Sequence, residues 1–102
     1  MRRLLHGADM GLAFEWDENK ATQNVRKHKV SFEEASTVFA DALARTIYDP
    51  LHSYEEDRFI MLGESQQRRL LVVVFSDREN RIRIISARLA TRRERKDYEE
   101  GS

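Results

Sequence analysis

At 102 residues, with 18 Lys/Arg against 18 Asp/Glu, the chain has room for one domain and no net charge, which excludes a second independent core and argues against coating nucleic acid by charge alone. It has no cysteine and only three scattered histidines, so a disulfide framework and a thiolate zinc site are excluded, no metal or cofactor is expected, and a reducing cytoplasm is the expected setting. No run approaches the roughly 18 apolar residues that a membrane span needs, and a soluble protein is expected.

The charges are segregated along the chain. Residues 1–30 hold six Lys/Arg and four Asp/Glu, residues 31–67 hold two and eight, and residues 68–102 hold ten and six. Such a molecule offers a basic site to an anion and, elsewhere, an acidic surface to a different partner.

In chain order, residues 1–13 have only a few apolar positions, with Met10 as an alternative start, and are expected to be a flexible N-terminal extension to a single domain over residues 14–99. "FEWD" (14–17) is a short apolar-aromatic step. Trp16 has two readings, a core or lid residue or a platform on which an RNA base stacks. Asp17 is a plausible N-cap for a helix from Glu18 to His28, whose apolar stripe is thin (Ala21, Val25) and whose polar face carries Lys20, Asn24 and Lys27 at i, i+4 and i+7. "RKHK" (26–29) closes that helix, as favourable dipole chemistry or, if Lys27 and His28 face the sheet, as groups able to move a proton. "VSFEEASTVFADAL" (30–43) predicts a second helix, with Ser31 and Glu34 as a capping box and Phe32, Ala35 and Phe39 on one side.

From residue 44 the period becomes extended. "ARTIYD", "DRFIMLG", "LLVVVF" and "RIRIISARL" predict four strands, the third covered on both faces, and their short connections favour an antiparallel meander. Thr91 and Glu94 form another capping box, for a short helix reaching about Tyr98 that is polar nearly all round and therefore frays or meets a partner. The expected fold is α+β: two N-terminal helices, a four-stranded antiparallel meander and a short C-terminal helix.

Arginines on strands carry the chemical interest. Strict alternation puts Arg83 with Ile85, Ala87 and Leu89 on one face and Arg88 with Ile82, Ile84 and Ser86 on the other. Either one arginine serves a given site, or a bulge intervenes near Ser86. Glu56 and Arg58 share a face of the second strand. An arginine among apolar strand residues is costly to bury unpaired, so it sits in a Glu–Arg pair or on an open face, where guanidinium binds phosphate oxygens bidentately.

Four ordered segments, F-E-W-D at 14–17, N-x-x-K-H at 24–28, E-x-R at 56–58 and R-I-I-S-A-R at 83–88 with Glu94 and Tyr98 behind it, resemble the BrnT toxins of type II toxin–antitoxin systems. The resemblance covers residues 14–98. It implies a RelE-like fold, a metal-independent and ribosome-independent endoribonuclease that inhibits translation, and neutralisation by a BrnA-type antitoxin with a ribbon-helix-helix domain. A two-plus-two complex that binds operator DNA through the antitoxin is implied as well. By motif, Lys27, His28, Glu56, Arg58 and Arg88 are the catalytic candidates, with Trp16, Lys20 and Arg83 as substrate-binding residues. Thr91, Arg92, Glu94, Arg95 and Tyr98 on the terminal helix, together with the acidic 31–67 region, are the expected antitoxin-docking surfaces. The alternative is a non-catalytic regulatory or interaction module that binds an antitoxin and tunes operon repression.

Overall fold

The structure, a computed structural model, describes residues 2–6, 11–52 and 56–101, with side chains at all of these except 2–6 and 52. In chain order its elements are β1 (Arg2–His6), β2 (Ala13–Asp17), α1 (Glu18–His28), α2 (Phe32–Thr37) running into a 3-10 turn (Val38–Ala40), β3 (Arg45–Tyr48), a second 3-10 turn (Pro50–His52), β4 (Arg58–Glu64), β5 (Leu70–Arg78), β6 (Arg81–Leu89) and α3 (Arg92–Glu100).

The four expected strands form the expected antiparallel run, β3 to β6, but they are not the whole sheet. The described sheet has six strands in the order β1-β2-β6-β5-β4-β3. "FEWD", expected as a mere step into a helix, is strand β2, and it lies parallel to β6 through Ala13–Arg81, Phe14–Ile82 and Glu15–Arg83. The sheet is therefore mixed, and two strands precede the helices. Parallel pairing became possible because everything between β2 and β6 acts as the crossover. Residues 2–6, placed by sequence in a flexible extension, pair antiparallel with β2; residues 7–10 of that extension lie outside the described residues.

Local chemistry explains the helix boundaries. Asp17 accepts from the N–H groups of Asn19 at 2.8 Å and Lys20 at 3.2 Å, and α1 closes at Lys29, whose left-handed backbone (φ 61°) returns its N–H to Val25. At α2 the capping box is only half made. Ser31 Oγ accepts from the Glu34 N–H at 3.0 Å, but the Glu34 carboxylate turns instead to Ser65 at 2.7 Å and to Arg69. A buried carboxylate is better matched by a guanidinium than by one more N–H.

One face of the sheet meets the helices. Phe14 and Trp16 from β2, Ile82, Ile84 and Ala87 from β6, and Leu71, Val73 and Phe75 from β5 join Val30, Phe32, Ala35 and Val38 in a single core. Gly63 makes the approach of the 3-10 turn possible: a Cβ there would lie 2.7 Å from Val38 Cγ1 and 2.9 Å from Ala44 Cβ. The opposite face carries Arg58, Ile60 and Leu62 from β4, Val72, Val74 and Ser76 from β5, and the arginines of β6. Helix α3 reaches its far end, near β4. Among the described residues no helix is long and apolar enough to cross a membrane.

Candidate active site on the open face of the sheet

The pairing of β6 with β5 decides which side chains share this face. Phe75 pairs with Ile84 and Val74 with Ser86, so Ile85 is an extra, unpaired residue. Such a bulge shifts the alternation by one. Arg83, opposite Ser76, and Arg88, opposite Val72, consequently point to the same face, because Ser76 and Val72 are four apart on a regular strand. Ser86, opposite Val74, lies between them.

One row crosses four strands: Arg58 pairs with Ser76, Ser76 with Arg83, and Arg83 with Glu15. Around it the charges interlock. Arg83 reaches Glu56 at 3.5 Å, Arg78 reaches Glu56 and Glu15 at 3.8 Å each, and Arg81 reaches Glu15 at 3.3 Å. Glu15 is buried at 3% exposure, a position a carboxylate holds only with such cationic company. Arginines outnumber glutamates here, so the cluster stays electropositive and suits an anion.

Two rows away, Arg88 makes a bidentate pair with Glu94, Nη1 to Oε1 at 2.9 Å and Nη2 to Oε2 at 3.0 Å. Glu94 is itself fixed by the complete capping box: its Oε1 accepts from the Thr91 N–H at 2.8 Å while Thr91 Oγ1 accepts from the Glu94 N–H at 3.1 Å. The hydrogen bonds from Arg88, helped by that of Thr91, hold the Glu94 carboxyl down at about 2 against the opposing effect of burial. The far end of α3 is tied by Tyr98, which donates to Asp41 at 2.6 Å, and by Arg45, which donates to the Asp97 carbonyl at 3.1 Å. That bond to Asp41 pushes the Tyr98 hydroxyl up to about 12. A helix with no buried residue is thus held by polar anchors, where the sequence suggested fraying or a partner.

Beyond Arg83, β2 leaves β6 and turns into α1, exposing the strand's edge. Asn24 covers it: Nδ2 donates to the carbonyls of Ala87 at 2.8 Å and Val30 at 2.9 Å, and Oδ1 accepts from the Ala87 N–H at 3.2 Å. One amide side chain replaces the missing strand. This seats α1 so that Lys20, Gln23, Lys27 and His28 line a groove of about 240 Å³ with Ile85 and Ser86. Lys27 and His28 therefore share a groove with Ile85 and Ser86 of β6, between the levels of Arg83 and Arg88.

The expected site residues fall into three groups. Glu56, Arg58 and Arg83 come together in the first cluster, Lys20, Lys27 and His28 share the groove, and Arg88 is engaged by Glu94. Trp16 is a correction: it is fully buried and packs edge-on against Phe32 with centroids 5.8 Å apart, so no ring face is open to a base. Of the five expected docking residues, Thr91, Glu94 and Tyr98 are spent on bonds within the chain, while Arg92 and Arg95 are exposed. Sequence reasoning missed Glu15, Arg78, Arg81 and Ser86. Only the density of arginines at 78–83 hinted at Arg78 and Arg81, and nothing marked Glu15 or Ser86.

A family model described as "Ribonuclease toxin, BrnT, of type II toxin-antitoxin system" matches residues 16–94. No curated protein matches the chain. Among solved structures, the 1.1 Å crystal structure of the Brucella abortus ribonuclease toxin, BrnT, is similar with a TM-score of 0.59, covering 76% of this chain and 94% of that chain at 22% identity. At that identity the likeness speaks for the fold.

Proposed function

The chain belongs to the BrnT family of ribonuclease toxins of type II toxin–antitoxin systems, and on that premise we propose that it is an endoribonuclease that inhibits translation in the cytoplasm by cutting RNA without a ribosome or a metal ion. The substrate's own 2′-OH attacks the adjacent phosphorus, the 5′-oxygen leaves, and the products end in a 2′,3′-cyclic phosphate and a 5′-OH. The protein supplies proton transfer and charge stabilisation, both within reach of the side chains present.

The observation that carries this reading is the Ile85 bulge, which puts Arg83 and Arg88 on one face with Ser86 between them. Their partners on β5 are four residues apart, about 13 Å at 3.3 Å per residue, so the two guanidiniums hold different phosphates of one strand. Arg58, in the row of Arg83, adds a third cationic donor. Lys27 and His28 from α1, or Glu56, handle the protons. Lys20 extends the basic groove along the backbone.

Membership of a type II family implies an antitoxin partner. We propose a BrnA-type antitoxin with a ribbon-helix-helix domain, in a two-plus-two complex that binds operator DNA through the antitoxin. The exposed Arg92 and Arg95 of α3 and the acidic 31–67 region are the proposed contacts, the rest of the α3 set acting through the helix that Thr91, Glu94 and Tyr98 hold in place.

Partner-free protein incubated with single-stranded RNA tests the activity, with 2′,3′-cyclic phosphate ends as the expected product. One observation favours the second reading, a regulatory module without catalysis: Arg83 and Arg88 are both ion-paired in the free chain. RNA left intact over pH 6–9, by a chain that still binds its antitoxin, would establish that reading instead.

A further inference from the structure

Arginine presents its donors along distinct edges, an end edge formed by Nη1 and Nη2 and a side edge formed by Nε and Nη2. In Arg88 the end edge is fully taken. Glu94 accepts from both terminal nitrogens, and Nη1 also donates to the Leu89 carbonyl at 3.3 Å. The side edge has no partner among the described residues, although the side chain is 42% exposed on the arginine-bearing face. Arg69 shows what that edge does when a carboxylate is in range: its Nε and Nη2 both bind Glu34.

We infer that Glu94 is a positioning residue: by holding the end edge of Arg88 it presents the side edge, Nε–H with Nη2–H, to two non-bridging oxygens of an RNA phosphate. The inference rests on the ribonuclease reading above. A free arginine side chain loses considerable rotamer entropy when it orders around an anion. Here that ordering is already complete, because the capping box sets Glu94 and Glu94 sets Arg88. The carboxylate stays charged through the neutral range, so the orientation persists wherever the protein is folded and working.

The experiment compares Glu94→Gln, Arg88→Ala, their combination and Asp41→Ala, reading RNA cleavage, affinity for a 2′-deoxy oligonucleotide and melting temperature. Glu94→Gln keeps an acceptor for the Thr91 N–H but loses the second oxygen and the charge. Its kcat/KM is expected to fall about ten- to a hundredfold, with weaker oligonucleotide binding. The double variant is expected to be no worse than Arg88→Ala, since positioning has no value without the group positioned. Asp41→Ala loosens the other end of α3 and lowers the melting temperature while leaving cleavage near wild type, which separates positioning from general support of the helix.

Cleavage by Glu94→Gln at or above the wild-type rate would overturn the inference, and a rise would make Glu94 a competitor of the phosphate. Additive losses in the double variant, or equal losses in Asp41→Ala, would overturn it as well. If wild type cuts nothing but Glu94→Gln still weakens oligonucleotide binding, the catalytic reading fails and the positioning stands; if Arg88→Ala is inactive while Glu94→Gln cleaves normally, only the positioning fails.

Discussion

Arg83 and Arg88 project from the same face of the sheet because Ile85 is bulged out of the β5–β6 ladder. Regular alternation would have turned one of them toward the helices, at the level where Ala87 is fully buried. A lone guanidinium in that core would cost several kcal/mol. The bulge instead gives both arginines to the open face and leaves Ser86 and the Lys27–His28 groove beside them.

The two arginines are therefore expected to matter alike. Arg83→Ala and Arg88→Ala should each reduce kcat for RNA cleavage about a hundredfold, the usual loss for one preorganised donor. Rate measurements on the two single variants check this. A wild-type rate in Arg83→Ala would leave Arg83 with only its bridge to Glu56.

Trp16 is expected to act on stability and not on RNA. Trp16→Ala should cost about 3–5 kcal/mol, since it empties a large site in a packed core, and urea denaturation measures that. Trp16→Phe should fold and bind a 2′-deoxy oligonucleotide as wild type does. Selective loss of binding in that variant would show that the ring is reachable after all.

Asn24 is expected to hold α1 on the edge of β6. Asn24→Ala strands three buried backbone groups, at about 1–3 kcal/mol for each that finds no water, so a loss of at least about 2 kcal/mol is predicted. Asn24→Asp keeps an acceptor for the Ala87 N–H and should protect that amide from hydrogen exchange better than Asn24→Ala does. Equal exchange at Ala87 in both variants would count against the strand-replacing role.

Stability should fall at both ends of the pH scale through α3. Glu94 titrates at about 2 in the fold against an ordinary 4.5, so its contribution is complete above about 4.5 and disappears as the pH falls to about 2. Asp17, Glu34 and Asp41 are lowered too and share that acid limb. Tyr98, raised to about 12 from 10.0, contributes fully below 10 and loses its share between 10 and 12. Melting curves across pH should show a shallower acid limb in Glu94→Gln and a shallower alkaline limb in Tyr98→Phe; unchanged limbs would mean that these bonds do not hold the helix.

Much of this was legible in the sequence where one local signal sufficed. The bounds of α1 follow from Asp17 and the basic last turn, those of β6 from its apolar alternation, and the start of α3 from Thr91 and Glu94. What was hidden depended on distant partners. "FEWD" is too short to announce a strand and becomes one because β1 and β6 lie on either side of it. A bulge near Ser86 is one of two alternatives for the strand, but nothing in "RIIS" fixes it at Ile85, since any of several residues there satisfies the same polarity pattern. Glu34 reads as a capping residue until Arg69, 35 positions later, claims its carboxylate. For the site, motif spacing gathered Lys27, His28, Glu56, Arg58 and Arg88. Strand parity raised a bulge near Ser86 as one alternative without deciding whether Arg83 shares a face with Arg88, and it gave no means of seeing that Glu15 closes the row.

The most direct measurement is RNA cleavage by the partner-free protein and by its Arg83→Ala/Arg88→Ala variant, both shown to be folded by melting. Wild type should yield fragments ending in 2′,3′-cyclic phosphate, and the variant should yield none above background. Undiminished cleavage by the folded double variant would contradict the assignment of the reaction to this face of the sheet.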